Sequence, residues 1–421
     1  MTADSRRDVR PAPADKDPQL FYPPRQRPLM SRLVQSVSYP LARLLYKFQI
    51  SVSEDQVGRV RAVDSARLIF VCNHPTMEDG ITLFVLSARL GQLFHYVVAY
   101  ESFKGLLGWF IQRLGCYSIR RGLGDRASIS QTLNLLKAPR CRLVIFPEGG
   151  CSYQNDTIMP FRPGAIQLPL SVLAQLAKKA DSPEQVPNFY LVPLSLKYRY
   201  QQPMHRVIES TLARLEAHLK IAQPTTQPSS SDDISTNYQR LRRIAHRVIL
   251  HMESEAGLPH DHTLDWNQRI DRLQQFFLKR CEQALKIEPN PNLPNRERVY
   301  KMQALLEASA LAEASQAQAN AIYWDTVRLL NFDAIYDGYV AESPTPERFL
   351  DTLTRLEREV FHLEHTQPKA LRKACFYIGM PINLKDYLAD YQCDRTNTID
   401  DLAEHLRHIM QSNLDQMNEQ G

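Results

Sequence analysis

The feature that most constrains this chain is a change of hydrophobic period that repeats from about residue 67 to residue 203. ARLIFVC, GQLFHYVVAY, CYSIRR, RLVIFP and NFYLVPLSLKY are short runs rich in β-branched and aromatic residues, and they read as strands. Between them DGITLFVLSARL, KGLLGWFIQRL, RASISQTLNLLK and PGAIQLPLSVLAQLAKK carry apolar residues at helical spacing. Strand and helix alternating in this way predict an α/β sheet with helices on its faces.

After residue 203 the pattern changes. From Met204 to about Pro368 nearly everything is helical in period, with linkers expected at QPTTQPSSSDD, EPNPNLPN and ESPTPER. The stretch LLEASALAEASQAQANAIYWDTV reads as one alanine-rich helix that another element must bury on one side. ACFYIGMPINL (374–384) is strand-like again, and a last helix is expected from near Thr398 or Asp400.

At the other end, residues 1–28 are rich in proline and mixed charge and read as a disordered tail. Residues 29–50 follow as an amphipathic helix, bent at Pro40, in which Leu29, Leu33, Val37, Leu41, Leu44, Leu45 and Phe48 recur at three- and four-residue steps. Arg25, Arg27, Arg32, Arg43 and Lys47 are interspersed. Such a helix either packs on the core or lies in a membrane interface with its basic residues near lipid phosphates.

Composition narrows the class. With 421 residues the chain can bury a full core and has room for two domains. No apolar run reaches the eighteen or so residues that span a bilayer, and MTADSRRDVRPAPADKDP lacks the apolar stretch of a secretory leader. The expected location is cytoplasmic, with peripheral attachment to the inner face of a membrane. Seven scattered cysteines without a C-x-x-C read as reduced thiols rather than a disulfide framework or a zinc site. A net charge of +5 is too small to imply a nucleic-acid partner. His260, Asp261 and His262 in LPHDHTLD lack further ligands at recognisable spacing, so no metal is expected. His362 and His365 read as solvent-facing residues of a helix.

The stretch VCNHPTMEDG (71–80) sets His74 and Asp79 five positions apart just after an apolar run. On a continuous helix the two would point about 140° apart. They converge only if His74 lies in a loop and Asp79 in the first helical turn, with Pro75 favouring the first helical position. A carboxylate there can hold one imidazole nitrogen and leave the other free as a base. The plain alternative is a helix-capping aspartate beside a polar loop histidine.

Three further blocks accompany this one: LGCYSIRRG, with Gly115, Ile119 and Arg121 in fixed steps, then FPEGG and FRPGAI, then VPLSLKY. In this order and at these intervals the four blocks resemble the PlsC-like glycerolipid acyltransferase family, which includes lysophosphatidate acyltransferases. The resemblance covers roughly residues 50 to 200.

The resemblance implies a mixed α/β sheet flanked by helices, with an acyltransferase core over 51–203. It makes His74 the general base that takes the proton of an acceptor hydroxyl, with Asp79 orienting it. The hydroxyl then attacks the thioester of acyl-CoA or acyl-carrier protein, with no cofactor and no covalent enzyme intermediate. Arg121 would meet the acceptor's phosphate, Glu148 and Gly149 would line the acceptor site, and Pro193 would border the acyl side. Arg162 is a second guanidinium able to clamp a phosphate. On strand alternation only one of Arg120 and Arg121 can face the site, and the resemblance selects Arg121.

The sequence departs from the family pattern in one place. The third block usually continues Glu-Gly-Thr-Arg-Ser, whereas here it reads Glu-Gly-Gly-Cys-Ser, with Cys151 in place of the arginine. Arg162 or Asn155 would have to compensate. In the family a second strand ending in Gly-x-Pro follows the fourth block, and Gly379-Met380-Pro381 matches it. Residues 204–368 would then be a large all-helical insertion, with 369–421 supplying a return strand and C-terminal helix; the competing organisation is an α/β domain followed by an independent helical domain with its own hairpin or helix. The expected partners are a lipid substrate and a membrane surface, with acyl-carrier protein as an alternative donor.

Overall fold

A computed structural model of the chain describes residues 21–222, 234–308, 316–333 and 335–419. Among these, eight strands build one mixed sheet. They are β1 (Phe48–Ser51), β2 (Arg67–Cys72), β3 (His95–Ala99), β4 (Cys116–Ile119), β5 (Arg142–Ile145), β6 (Phe189–Tyr200), β7 (Arg372–Ile378) and the short β8 (Ile382–Asn383). The spatial order is β1-β7-β6-β2-β5-β3-β4, with β8 also paired to β6. Neighbours are parallel except where β6 meets β7 and β8.

Helices cover both faces. α1 (Pro28–Leu45), α2 (Glu54–Ala62) and α3 (Asp79–Leu90) lie on one side, while α4 (Gly105–Arg113) follows β3. α5 (Arg126–Lys137) and α6 (Gly164–Ala177) lie on the other. In β2, Leu68, Phe70 and Cys72 pack toward α1–α3, and Ile69 and Val71 toward α5 and α6. A strand buried on both faces reads as an unbroken apolar run, which is why RLIFVC shows no alternation.

The chain between β6 and β7 is helical: α7 (His205–His218), α8 (Ile234–Glu255), α9 (Trp266–Ala284), α10 (Asn295–Ala308), α11 (Gln316–Phe332), the single turn α12 (Tyr339–Glu342) and α13 (Pro346–Val360). These helices share a core of their own around Leu241, Ile244, Phe277 and Leu353. β7 then pairs antiparallel with β6, Leu194 opposite Ile378 and Tyr200 opposite Arg372. All seven helices therefore lie between two strands that are neighbours in the sheet. α14 (Leu388–Cys393) and α15 (Arg395–Glu419) return to the α5–α6 face through Tyr391, Leu402, Leu406 and Met410.

Several expectations need correction. The helix expected over 29–50 ends at Leu45, and Phe48–Ser51 is instead the edge strand β1, paired to β7. A strand of four residues is too short to announce its period beside a strong helical pattern. Arg25 and Arg27 precede the helix rather than lying within it. Of the expected tail, residues 1–20 lie outside the described residues. Phe21 to Arg27 instead run along the sheet edge, with Ser118 N donating to Tyr22 O at 3.0 Å and Arg25 N to Gln112 O at 2.9 Å.

The alanine-rich stretch is not one helix. α10 and α11 lie side by side, joined by Gln303 Nε2 to Thr326 Oγ1 at 3.1 Å, with 309–315 outside the described residues. The linker QPTTQPSSSDD also lies outside them. The last helix starts at Arg395, and His362 sits in a turn after α13 with φ 51° rather than on a helix.

Asn73, directly after β2, continues the sheet with its side chain. Its Nδ2 donates to Leu196 O at 2.9 Å, and its Oδ1 accepts from Leu196 N at 2.7 Å. Replacing Asn73 with alanine strands both groups in a buried site, a loss of about 2–4 kcal/mol. The expected outcome is a lower urea midpoint with an unchanged slope; an unchanged midpoint would refute this role.

Candidate active site

The site begins where β2 runs out. Asn73 to Glu78 form a loop, and α3 opens at Asp79. Pro75 therefore lies in the loop, four residues before the helix, rather than at its first position. His74 is in the loop and Asp79 is the first helical residue, and the two side chains meet: His74 Nδ1 lies 2.8 Å from Asp79 Oδ2.

Asp79 is fully buried, and no lysine or arginine forms an ion pair with it among the described residues. Its charge is met by hydrogen bonds. Thr76 N donates to Oδ2 at 2.9 Å, Thr76 Oγ1 to Oδ1 at 2.7 Å, and the Tyr198 hydroxyl to Oδ1 at 2.8 Å. Burial, and then the nearby Asp79 charge, push the Tyr198 hydroxyl well above its ordinary pKa. It therefore stays protonated and donates, leaving its oxygen to accept from Thr82 Oγ1 at 2.7 Å. Four donors thus converge on one carboxylate.

The carboxylate fixes the edge of the imidazole, and Phe146 fixes its face. The two rings are stacked at 4.3 Å and 22°. Phe146 belongs to the loop after β5, which wraps the histidine: Ser152 N donates to His74 O at 2.8 Å. This leaves Nε2 as the nitrogen turned away from Asp79, on a side chain that is 19% exposed.

The same loop carries Glu148, Gly149 and Gly150. Glu148 is 3% exposed. Burial raises its pKa from 4.5 to about 8, against the opposing pull of Arg296 and backbone donors at His74 and Met159. Gly149 has φ 74°, and a Cβ there would overlap the Arg162 side chain, so the guanidinium lies directly across the glycine. A Cβ at Gly150 would overlap the Tyr300 hydroxyl.

Arg121 and Arg162 are brought together over the ring of Tyr300, their guanidinium carbons 4.4 Å and 5.6 Å from its centroid. Arg162 Nε pairs with Glu297 at 3.1 Å, and Arg121 with Glu101 at 3.6 Å. Pro193 is placed elsewhere: it is buried in β6 opposite Val71, with its ring against Gly379. Asn155 does not join the arginines. Its Nδ2 donates to Tyr198 O at 2.5 Å and its Oδ1 accepts from Tyr198 N at 2.8 Å.

Chemically, the arrangement presents an imidazole aligned by a buried carboxylate, a second buried carboxyl, Glu148, held largely protonated at neutral pH, and adjacent guanidiniums suited to an anion. His260, by contrast, pairs with Glu253 at 2.8 Å. Among the described residues no group of three or more His, Cys, Asp or Glu side chains is placed to hold a metal ion.

The sequence reading missed four contributors. Thr76 and Tyr198 lay inside quoted blocks, and Thr76 three residues before Asp79 was the available signal. Arg296 and Tyr300 lie in NRERVYKM, which looks like any solvated helix face, so nothing in the sequence marked them.

The mixed sheet with its flanking helices is an acyltransferase fold. Residues 51–197 match the model of the Acyltransferase family, the PlsC-like glycerolipid acyltransferase domain, and this match supports acyltransferase activity. No curated protein matches the chain. The matched segment ends in β6, so α7–α13 fall outside it.

The buried Glu148 has a measurable consequence. The folded protein keeps its proton up to about pH 8, whereas the unfolded chain loses it near 4.5. Between these values the folded state binds more protons, so stability falls as pH rises. Glu148→Gln removes this slope. The variant is expected to match the wild type near pH 4 and to exceed it by a few kcal/mol at pH 8. Parallel denaturation curves for the two proteins across that range would refute the raised pKa.

Proposed function

We propose that this protein transfers a fatty acyl group from acyl-CoA or acyl-carrier protein to the hydroxyl of a lysophospholipid, a 1-acylglycerol 3-phosphate or a related lipid. The observation that carries the reading is the His74–Asp79 contact at 2.8 Å, with the carboxylate pinned by three further donors. Nδ1–H donates to Asp79, so Nε2 is the free base. It takes the proton of the acceptor hydroxyl as that oxygen bonds to the thioester carbonyl carbon. The C–S bond then breaks, and the thiolate recovers the proton from the imidazolium. Asp79 supports the positive charge that His74 carries between the two transfers. Arg121 and Arg162 hold the acceptor's phosphate beside the base.

The membrane arm of the proposal rests on α1. The side of α1 that packs inward carries Ser31, Gln35, Ser38 and Ala42, while its leucines face out: Leu29 is 88% exposed and Leu44 75%. Gln35 Nε2 donates to Ser87 Oγ and Gln92 O, both at 2.8 Å, so the polar side has its partners inside the protein. An apolar stripe turned to solvent suits a lipid interface. α4 likewise exposes Leu106, Leu107 and Trp109. Arg27 N donates to Arg113 O at 2.9 Å, which ties the start of α1 to the end of α4. No helix among the described residues is long and apolar enough to cross a membrane, so peripheral attachment, on the inner face, is the form proposed.

His74→Ala is expected to lower acyl transfer from labelled acyl-CoA to lysophosphatidate by about a thousandfold, with thermal stability retained. Release of free fatty acid without ester would instead indicate a hydrolase. Vesicle binding with neither product would indicate a lipid-binding protein. For the surface, combining Leu29→Glu, Leu33→Glu and Leu106→Glu should abolish co-flotation with anionic vesicles; unchanged flotation would refute this face.

A further inference from the structure

The start of α10 lies across the candidate site. The ring of Tyr300 carries the guanidiniums of Arg121 and Arg162. Its hydroxyl occupies the space a side chain at Gly150 would need, and the Tyr300–Lys301 backbone occupies the space a side chain at Gly122 would need. Two glycines of the catalytic domain thus admit this one turn of α10 to van der Waals contact.

Arg296, one turn earlier, is buried, and its Nη1 donates to Gly150 O at 3.0 Å. It therefore brings a guanidinium, from outside the matched domain, to the loop where Cys151 stands instead of arginine. Three arginines, Arg121, Arg162 and Arg296, then surround one tyrosine.

Their counter-charges are unequal. Arg296 is held by Asp333 at 2.6 Å. Arg162 is held by Glu297 at 3.1 Å, each about one-third exposed, and Arg162 Nη2 is buried without a hydrogen bond. Arg121 has Glu101 only at 3.6 Å, and its Nε is also without a hydrogen bond. Two guanidiniums thus keep unused donors and are neutralised by carboxylates at the solvent edge. A phosphate monoester offers three acceptor oxygens and up to two charges, so it can take these donors together and outcompete a single carboxylate. A neutral hydroxylic lipid cannot displace Glu297.

We propose that Tyr300 and Arg296 of α10 complete the binding site for the acceptor's phosphate, and that Glu297 is the internal counter-ion this phosphate displaces. The inference rests on the acyl-transfer reading and narrows its acceptor to a phosphate monoester. It also gives Gly150 and Cys151 a reason: a threonine at 150 would exclude Tyr300, and the guanidinium absent at 151 comes from α10.

The test uses the full chain with acyl-CoA and acceptor varied in turn and, as acceptors, lysophosphatidate, glycerol 3-phosphate and monoacylglycerol, which separate a lipid phosphate from a soluble one. Calorimetric binding of glycerol 3-phosphate is measured in parallel. Tyr300→Ala and Arg296→Gln should raise the acceptor KM and the Kd about tenfold, leaving the KM for acyl-CoA unchanged. Glu297→Gln, at a partly exposed position, should move both the opposite way, by about three- to fivefold. A residue that merely packs α10 against the domain would not tighten binding when neutralised. Weaker or unchanged binding in Glu297→Gln, or a wild-type preference for monoacylglycerol, overturns the inference. Absence of transfer by the wild type to every acceptor defeats the acyltransferase reading instead, while the calorimetry still decides the phosphate site.

Discussion

Asp79 is a fully buried carboxylate with no ion-pair partner among the lysines and arginines described, and the site is arranged around that constraint. An unpaired buried charge costs several kcal/mol unless its lone pairs are used. Here they are used by groups from two places: the His74–Thr76 loop, through the imidazole and the hydroxyl and backbone N–H of Thr76, and Tyr198 near the end of β6. The tyrosine comes from the strand beside β2, so the parallel register of β2 and β6 that sets Cys72 opposite Leu194 also sets the distance from hydroxyl to carboxylate. Sheet pairing and imidazole orientation are one constraint seen from two ends.

The loop after β5 carries that constraint outward. It stacks Phe146 on His74, binds His74 O through Ser152, and is held from its far side by the helical segment. Arg296 reaches Gly150 O, Arg355 reaches Ser152 O, and Asp351 accepts from Asn155 N at 3.1 Å. Arg348 then pairs with Asp156 at 2.8 Å. Burial, with Asp156 adding to it, raises the pKa of Asp351 to about 7, so this seam is sensitive near neutrality. A helical segment fastened at four points along one loop sets the position of Glu148 and Gly149 as much as the sheet does.

The sequence made the sheet and the His74–Asp79 pair legible for different reasons. The strands showed because burial on both faces leaves runs such as RLIFVC and LVPLSL with almost no polar residue. The pair showed because a proline and a strand end restrict where a histidine can turn. β1 was hidden because four residues, FQIS, cannot outvote the periodic leucines before them. Arg296 and Tyr300 were hidden because their partners, Gly150, Arg121 and Arg162, lie well over a hundred residues away. A contact made by the backbone of two glycines leaves no pattern around the residue that makes it.

Helix α1 shows the limit of periodicity most clearly. Its stripe of leucines states that the helix is amphipathic, but not which side the protein keeps. Packing decides that here in favour of Ser31, Gln35, Ser38 and Ala42, because small and amide side chains let α1 approach α3 closely while Gln35 satisfies Ser87 and Gln92. α4 also exposes apolar side chains, Leu106 among them, and it follows the single turn Tyr100–Phe103, whose Glu101 pairs with Arg121. Leu106 and Glu101 are five residues apart, so the apolar surface and the guanidinium end of the site share one short segment of chain. An amphiphile whose anionic group sat at Arg121 would have that surface within reach of its hydrocarbon. This is the geometry that a phosphate at Arg121 and a bilayer under α1 and α4 would each require of the other.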